Sequence, residues 1–179
     1  MENLYVSGVL VAIMVLLSAF FSGMEIAFLN KNRLRLEIDR KQSRMFDYIA
    51  GLFSRHQGEY ITTILVGNNI ALVLYSMCLS VVLREIARRL GWESVQEGSI
   101  LIETIIPTII IIFLGEYLPK SISRSNPNFF YRYLSPVMYF FYILLYPVTR
   151  ATTLLSYGML RLTGRKASGA ERQIEFDRS

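Results

Sequence analysis

Histidine and cysteine are nearly absent from this chain: one of each, His56 and Cys78, occurs in 179 residues. A single cysteine excludes an internal disulfide. Cys78 lies inside an apolar run and is expected to be a small buried hydrophobe. His56 lies in the polar stretch SRHQGEY, outside any metal-ligand spacing. The lack of a His or Cys cluster disfavours zinc and copper. There is also no nucleophile–base pair and no phosphate loop, so an enzyme is not expected. Neither repeats at solenoid spacing nor low-complexity segments occur. Charge is scarce: Asp, Glu, Lys and Arg make up 18% of the residues, against 53% hydrophobic. The mean hydropathy of +0.37 is high for a soluble domain and ordinary for a membrane one. No basic n-region precedes the first apolar run, 4–29, which is too long for a signal-peptide core. It reads as a retained membrane helix.

What is present is a set of apolar runs. About 20 mostly apolar residues span a bilayer, and three stretches qualify: 5–29, 60–83 and 99–121. The third is interrupted by Glu103, Pro107 and the sequence FLGEYLPKSISR. Basic residues orient the spans. Seven Lys or Arg fall in 30–59 and nine lie from Lys120 onward, but only three fall in 84–98, beside Glu85, Glu93 and Glu97. This places the N-terminus outside, the first loop and the tail in the cytoplasm, and the second loop outside. The net charge of +5 thus follows topology and does not indicate a nucleic-acid partner. A fourth apolar stretch, 129–160, has basic residues at both ends and is broken by Pro136 and Pro147. An interfacial or re-entrant segment fits it, with a true fourth span as the alternative. Between the first two spans, Leu34, Ile38, Met45 and Ile49 recur among charges, which predicts an amphipathic juxtamembrane helix.

Polar groups at lipid depth are costly and face a cavity or a partner. The first span carries Ser22, Gly23 and Glu25; the second carries Gly67, Asn68 and Asn69; the third carries Gly115 and Glu116. At ~1.5 Å of rise per residue, Ser22, Asn68 and Glu116 each lie roughly 12–13 Å in from a cytoplasmic charge. Pro119 lacks the N–H that would bond the Gly115 carbonyl four residues back, so this helix is expected to break and free that carbonyl beside Glu116. A hydroxyl, an amide, a carboxylate and a carbonyl form an all-oxygen set suited to Mg²⁺, Ca²⁺ or Mn²⁺, with Na⁺ also compatible. Ser22 and Asn68 also suit plain helix packing. Glu116 has an ion pair with Lys120 as its alternative, and Glu25 could pair with Lys31 or Lys120. Asn69 points away from Asn68 and is read as a packing residue. Glu103 is read as a solvated group near the external end.

The motifs SGMEIAF, VGNNIAL and GEYLPKS, in this order on three spans, resemble the transmembrane domain of the CNNM/CorC magnesium transporters. The resemblance covers roughly 5–165, which makes 1–165 the transmembrane domain and 166–179 a polar linker. It implies an all-α membrane protein with three transmembrane helices, cytoplasmic juxtamembrane helices and a belt-like helix within 129–160. It also implies a homodimer in a bacterial inner membrane, and Mg²⁺ export driven in some members by Na⁺ entry. By motif match Ser22, Asn68 and Glu116 are side-chain ligands and Gly115 a backbone ligand; Gly23, Glu25, Gly67, Pro119 and Lys120 support them. Two departures stand out. Leu72 occupies a position where many relatives carry a second asparagine. Full-length members continue into nucleotide-binding CBS modules, so no nucleotide site is expected here. The alternative function is a Mg²⁺-sensing or anchoring membrane module that does not transport.

Overall fold

Lipid offers backbone groups no hydrogen-bond partner, so a long apolar run in an open chain must be helical. The computed structural model, which describes residues 2–91 and 100–162, has this character, with no strand among the described residues. Helix α1 covers Glu2–Asn30 and α4 covers Gln57–Leu90, which stops at a left-handed Gly91. The third run comprises α5 (Ile100–Ile110), a π-helical segment (Ile111–Tyr117) and α6 (Leu118–Ser125). Among the described residues, Leu4–Asn30, Gln57–Arg89 and Thr104–Ser125 are long and apolar enough to cross a membrane. The expected fold class, an all-helical membrane protein with three such spans, is therefore observed. Residues 92–99 of the second loop and the linker 166–179 lie outside the described residues.

The juxtamembrane segment differs from expectation. It forms two helices, α2 (Arg33–Gln42) and α3 (Arg44–Arg55). The Asn32 side chain caps α2 by accepting from the Leu34 and Arg35 N–H groups. Ser43 is extended and its hydroxyl caps α3 at Phe46. This break resets the helical phase, so Leu34, Ile38, Met45 and Ile49 do not form one stripe. Ile49 is buried, whereas Leu34, Ile38 and Met45 are exposed. The buried face of α3 is instead Phe46, Ile49, Ala50 and Phe53, at i, i+3, i+4 and i+7.

The fourth apolar stretch is also two helices, α7 (Pro127–Leu144) and α8 (Tyr146–Leu162). Neither has the length and hydropathy of a span. α7 packs across α1 and α3, and α8 against α4. Polar clamps hold them. The Asn128 carboxamide accepts from the Asn32 N–H at 2.8 Å and donates to the Asn32 carbonyl at 3.1 Å. Arg132 donates to Asp39 and to Gln42, each at 2.9 Å. The Tyr142 hydroxyl donates to Glu59 at 2.6 Å, and the Thr63 and Thr149 hydroxyls meet at 3.1 Å. Within this wrap lies an aromatic core that includes Phe21, Phe28, Phe53, Tyr60, Tyr131 and Tyr142. A second apolar cluster, centred on Tyr75, Leu79 and Ile111, fills the other half of the bundle.

Candidate metal centre

Two serines on one face of α1 and an asparagine on α4 begin the site. The Ser18 hydroxyl donates to the Asn68 Oδ1 at 2.8 Å. Gly67 permits this approach: the Phe21 ring lies where its Cβ would be, with Cζ only 2.3 Å from that position. The third span meets the same point through Gly115. A Cβ there would lie 3.1 Å from the Ser18 Oγ and 2.6 Å from the Ile111 Cδ1. Ser18, Asn68 and Gly115 thus bring three spans to one place. Ser22 follows Ser18 by one turn, a rise of ~6 Å. Its hydroxyl is buried and makes no hydrogen bond among the described residues, an arrangement that costs ~1–3 kcal/mol unless a ligand or water completes it.

The expected break at Pro119 is not a break. The helix continues and changes register: in the π segment the Leu118 N–H bonds the Phe113 carbonyl, five residues back. π segments inside α-helices are frequently found at functional sites. Pro119 then falls at the return to α register. Its missing N–H leaves without a ladder partner the Leu114 carbonyl in π register, or the Gly115 carbonyl in α register. The carbonyls of Leu114 and Gly115 are thus both candidates, where Gly115 alone was expected. Glu116 is half-buried, and its carboxylate makes no ion pair or hydrogen bond among the described residues.

The expected alternative partner of Glu116 is engaged elsewhere. Lys120 Nζ lies 3.3 Å from the Glu25 carboxylate. Because a π turn holds more than four residues, i and i+4 no longer stack as they do in an α-helix. Nearby, the Ser123 hydroxyl donates to the Gly23 carbonyl at 2.7 Å. Gly23 also faces Pro119, whose carbonyl oxygen is 3.8 Å from the Gly23 Cβ position. These contacts fasten α6 to the C-terminal end of α1. Lys31 is not part of this pairing. Its ammonium donates to the Phe28 carbonyl at 2.8 Å and sits 3.2 Å over the Phe28 ring. Burial, and then the neighbouring Arg33 charge, lower its pKa to about 8.

Three further expectations resolve differently. Asn69 is exposed and makes no hydrogen bond among the described residues, so it is not a buried packing residue among them. Cys78 is partly exposed, not buried. The Glu103 side chain lies outside the described residues. No group of three or more His, Cys, Asp or Glu side chains occurs among the described residues. A cation held here would therefore rest on one carboxylate and neutral oxygens, the hard-ion donor set.

The Cyclin M transmembrane N-terminal domain family matches residues 9–177. The chain belongs to the CNNM family. It is 29% identical over 115 residues to the UPF0053 protein MG146 homolog of Mycoplasma pneumoniae, covering 64% of this chain and 26% of that protein. It is 28% identical over 112 residues to the UPF0053 inner membrane protein YfjD of Escherichia coli, covering 63% and 24% respectively. A chloroplastic DUF21 domain-containing protein of Arabidopsis thaliana shares 26% identity over 162 residues, or 89% of this chain and 23% of its own length. The chain thus spans about a quarter of these curated relatives.

Within this CNNM domain, the three motifs lie on α1, α4 and the π segment with α6. Leu72, one turn beyond Asn68, packs with Tyr75, Leu79 and Ile111. Sequence reading missed Ser18 and Ser123. Ser18 precedes Ser22 by four residues, so a helical-face reading of α1 would have found it. Ser123, in a short polar stretch, gave no comparable signal.

Proposed function

We propose that this CNNM domain is the membrane part of a divalent-cation transporter with Mg²⁺ as its substrate. The observation that carries this reading is the meeting of Ser18, Asn68 and Gly115, with Ser22, whose hydroxyl has no hydrogen-bond partner among the described residues, one turn along α1, and Glu116 following Gly115 in sequence. Neutral oxygens, one charge and a freed carbonyl suit a hard cation. Mg²⁺ sheds water reluctantly and prefers octahedral geometry, so with one carboxylate it would keep several waters. The apolar cluster of Leu72, Tyr75, Leu79 and Ile111 closes the bundle on the far side of Asn68. The ion then enters from the end where Lys31 and Arg124 lie, which the charge distribution assigns to the cytoplasm. Export, coupled to Na⁺ entry, follows from that topology together with the family resemblance. In this reading the chain is not an enzyme, and its N-terminus faces outside a bacterial inner membrane. The exposed amide of Asn69 on a span favours a second copy as its partner.

The test is Mg²⁺ efflux from liposomes containing the purified chain, with and without a Na⁺ gradient, beside Glu116→Gln. Efflux lost in the variant supports transport through this site. A second reading, a sensing or anchoring module, is favoured by the Lys120–Glu25 and Ser123–Gly23 contacts that tie α6 to α1. It predicts Mg²⁺ binding without flux, or neither.

A further inference from the structure

The surface formed by α2 and α3 lies outside the proposed ion site, and it exposes large apolar side chains among charges. Four large apolar side chains stand out from it: Leu34, Ile38, Met45 and Tyr48 are 79%, 59%, 58% and 63% exposed. Leu34 and Ile38 lie one turn apart on α2, on the side opposite the buried Leu36. Exposed apolar groups of this size in a charged segment call for a cover.

The charges identify the cover. All three acids of the segment are already held by arginines. Arg40 binds Glu37 at 2.8 Å and Asp47 at 2.7 Å, and Arg132 binds Asp39 at 2.9 Å. Arg35, Lys41, Arg44 and Arg55 are exposed and have no carboxylate partner among the described residues. Lys41 shares the exposed face of α2 with Leu34 and Ile38, and Arg44 lies one turn from Tyr48 on α3. The surface therefore offers apolar side chains rimmed by uncompensated cations. It also begins two residues after α1 ends, where the chain leaves the bilayer. Its position and charge fit one occupant, a lipid surface.

We propose that α2 and α3 dock onto the membrane surface. Leu34, Ile38, Met45 and Tyr48 enter the interface between headgroups and acyl chains, while Arg35, Lys41, Arg44 and Arg55 bind anionic lipid headgroups. Apolar insertion and basic attraction add in such segments, and the electrostatic part follows the anionic lipid content. The Arg40 and Arg132 ion pairs serve this by removing acids that would repel the headgroups.

The test places a nitroxide at Ile38→Cys or Tyr48→Cys in the full chain carrying Cys78→Ser, reconstituted in nanodiscs. Collision rates with dissolved oxygen and with a water-soluble nickel chelate report depth. In equimolar phosphatidylcholine and phosphatidylglycerol, oxygen collisions should dominate at both positions. The label should move toward water in pure phosphatidylcholine, or in about 1 M KCl, where the Debye length is ~3 Å. The Arg35→Gln, Lys41→Gln, Arg44→Gln triple variant should lose the phosphatidylglycerol effect. Nickel access that is high and equal in both lipids overturns the proposal. So does shielding accompanied by dipolar broadening that vanishes on dilution with unlabelled chain, which would make a second copy the occupant. The two-lipid comparison uses unaltered basic residues, so it decides the matter even if the triple variant fails to fold.

Discussion

The Ser18 hydroxyl donates to the Asn68 carboxamide oxygen across the α1–α4 seam at 2.8 Å, beside the backbone of Gly115. Interhelical hydrogen bonds of this type couple by ~0.6 kcal/mol on average and at most ~1.7. A double-mutant cycle with Ser18→Ala and Asn68→Ala should give a stability coupling in that range. Mg²⁺-dependent thermal protection should fall further with Asn68→Ala than with Ser18→Ala, because the amide is lost from the proposed ligand set. Equal, additive losses with Mg²⁺ protection intact would reduce the pair to packing.

Glu116 and Glu25 should behave oppositely. With Mg²⁺ at ~100 times its Kd, a bound ion should add ~2.7 kcal/mol of stability. Glu116→Gln should abolish this saturable protection. Glu25→Gln should leave it in place and change stability by only ~0–1 kcal/mol, since its partner Lys120 is partly solvated. Thermal unfolding over a Mg²⁺ titration reads both. Equal protection in wild type and Glu116→Gln would move the ion elsewhere.

Gly67 is required by the Phe21 ring, whose Cζ lies 2.3 Å from where a Cβ would stand. Phe21 is 1% exposed and packed edge-on against Phe20 and Phe141, so it has little room to yield. Gly67→Ala should cost about 1–3 kcal/mol by overpacking. Adding Phe21→Leu should recover part of that loss. Chemical or thermal unfolding of the single and double variants tests this, and a double variant worse than additive would contradict it.

Lys31 makes a pH prediction. Its folded pKa, about 8, lies below the ordinary value of 10.5 because its ammonium is buried and faces Arg33. Between about 8 and 10.5 the unfolded chain therefore binds more protons, and stability rises with pH across that window. Below pH 8 both states are charged and the contribution is flat. Melting temperatures of wild type and Lys31→Met from pH 7 to pH 10 should converge or cross as the wild type gains. Parallel curves would show that Lys31 keeps an ordinary pKa.

Much of this protein could be read in one dimension. Span number follows from run length and hydropathy, because lipid leaves the backbone no choice but helix. That 129–160 holds no helix long and apolar enough to span accords with its flanking charges and prolines. Ser22, Asn68, Gly115 and Glu116 stood out because polar groups are costly at lipid depth. Other features depend on distances between segments far apart in sequence. Lys120 pairs with Glu25 and not with Glu116 because the π segment resets the register and α6 lies against α1. Ser18 joins the site only because Gly67 and Gly115 let three backbones close around it. The division of 33–55 into two helices rests on Ser43, and Asn128 and Arg132 secure α2 from nearly a hundred residues away. Composition determined that the chain enters a membrane as three helices; packing decided which polar groups within it are left without a hydrogen-bond partner among the described residues.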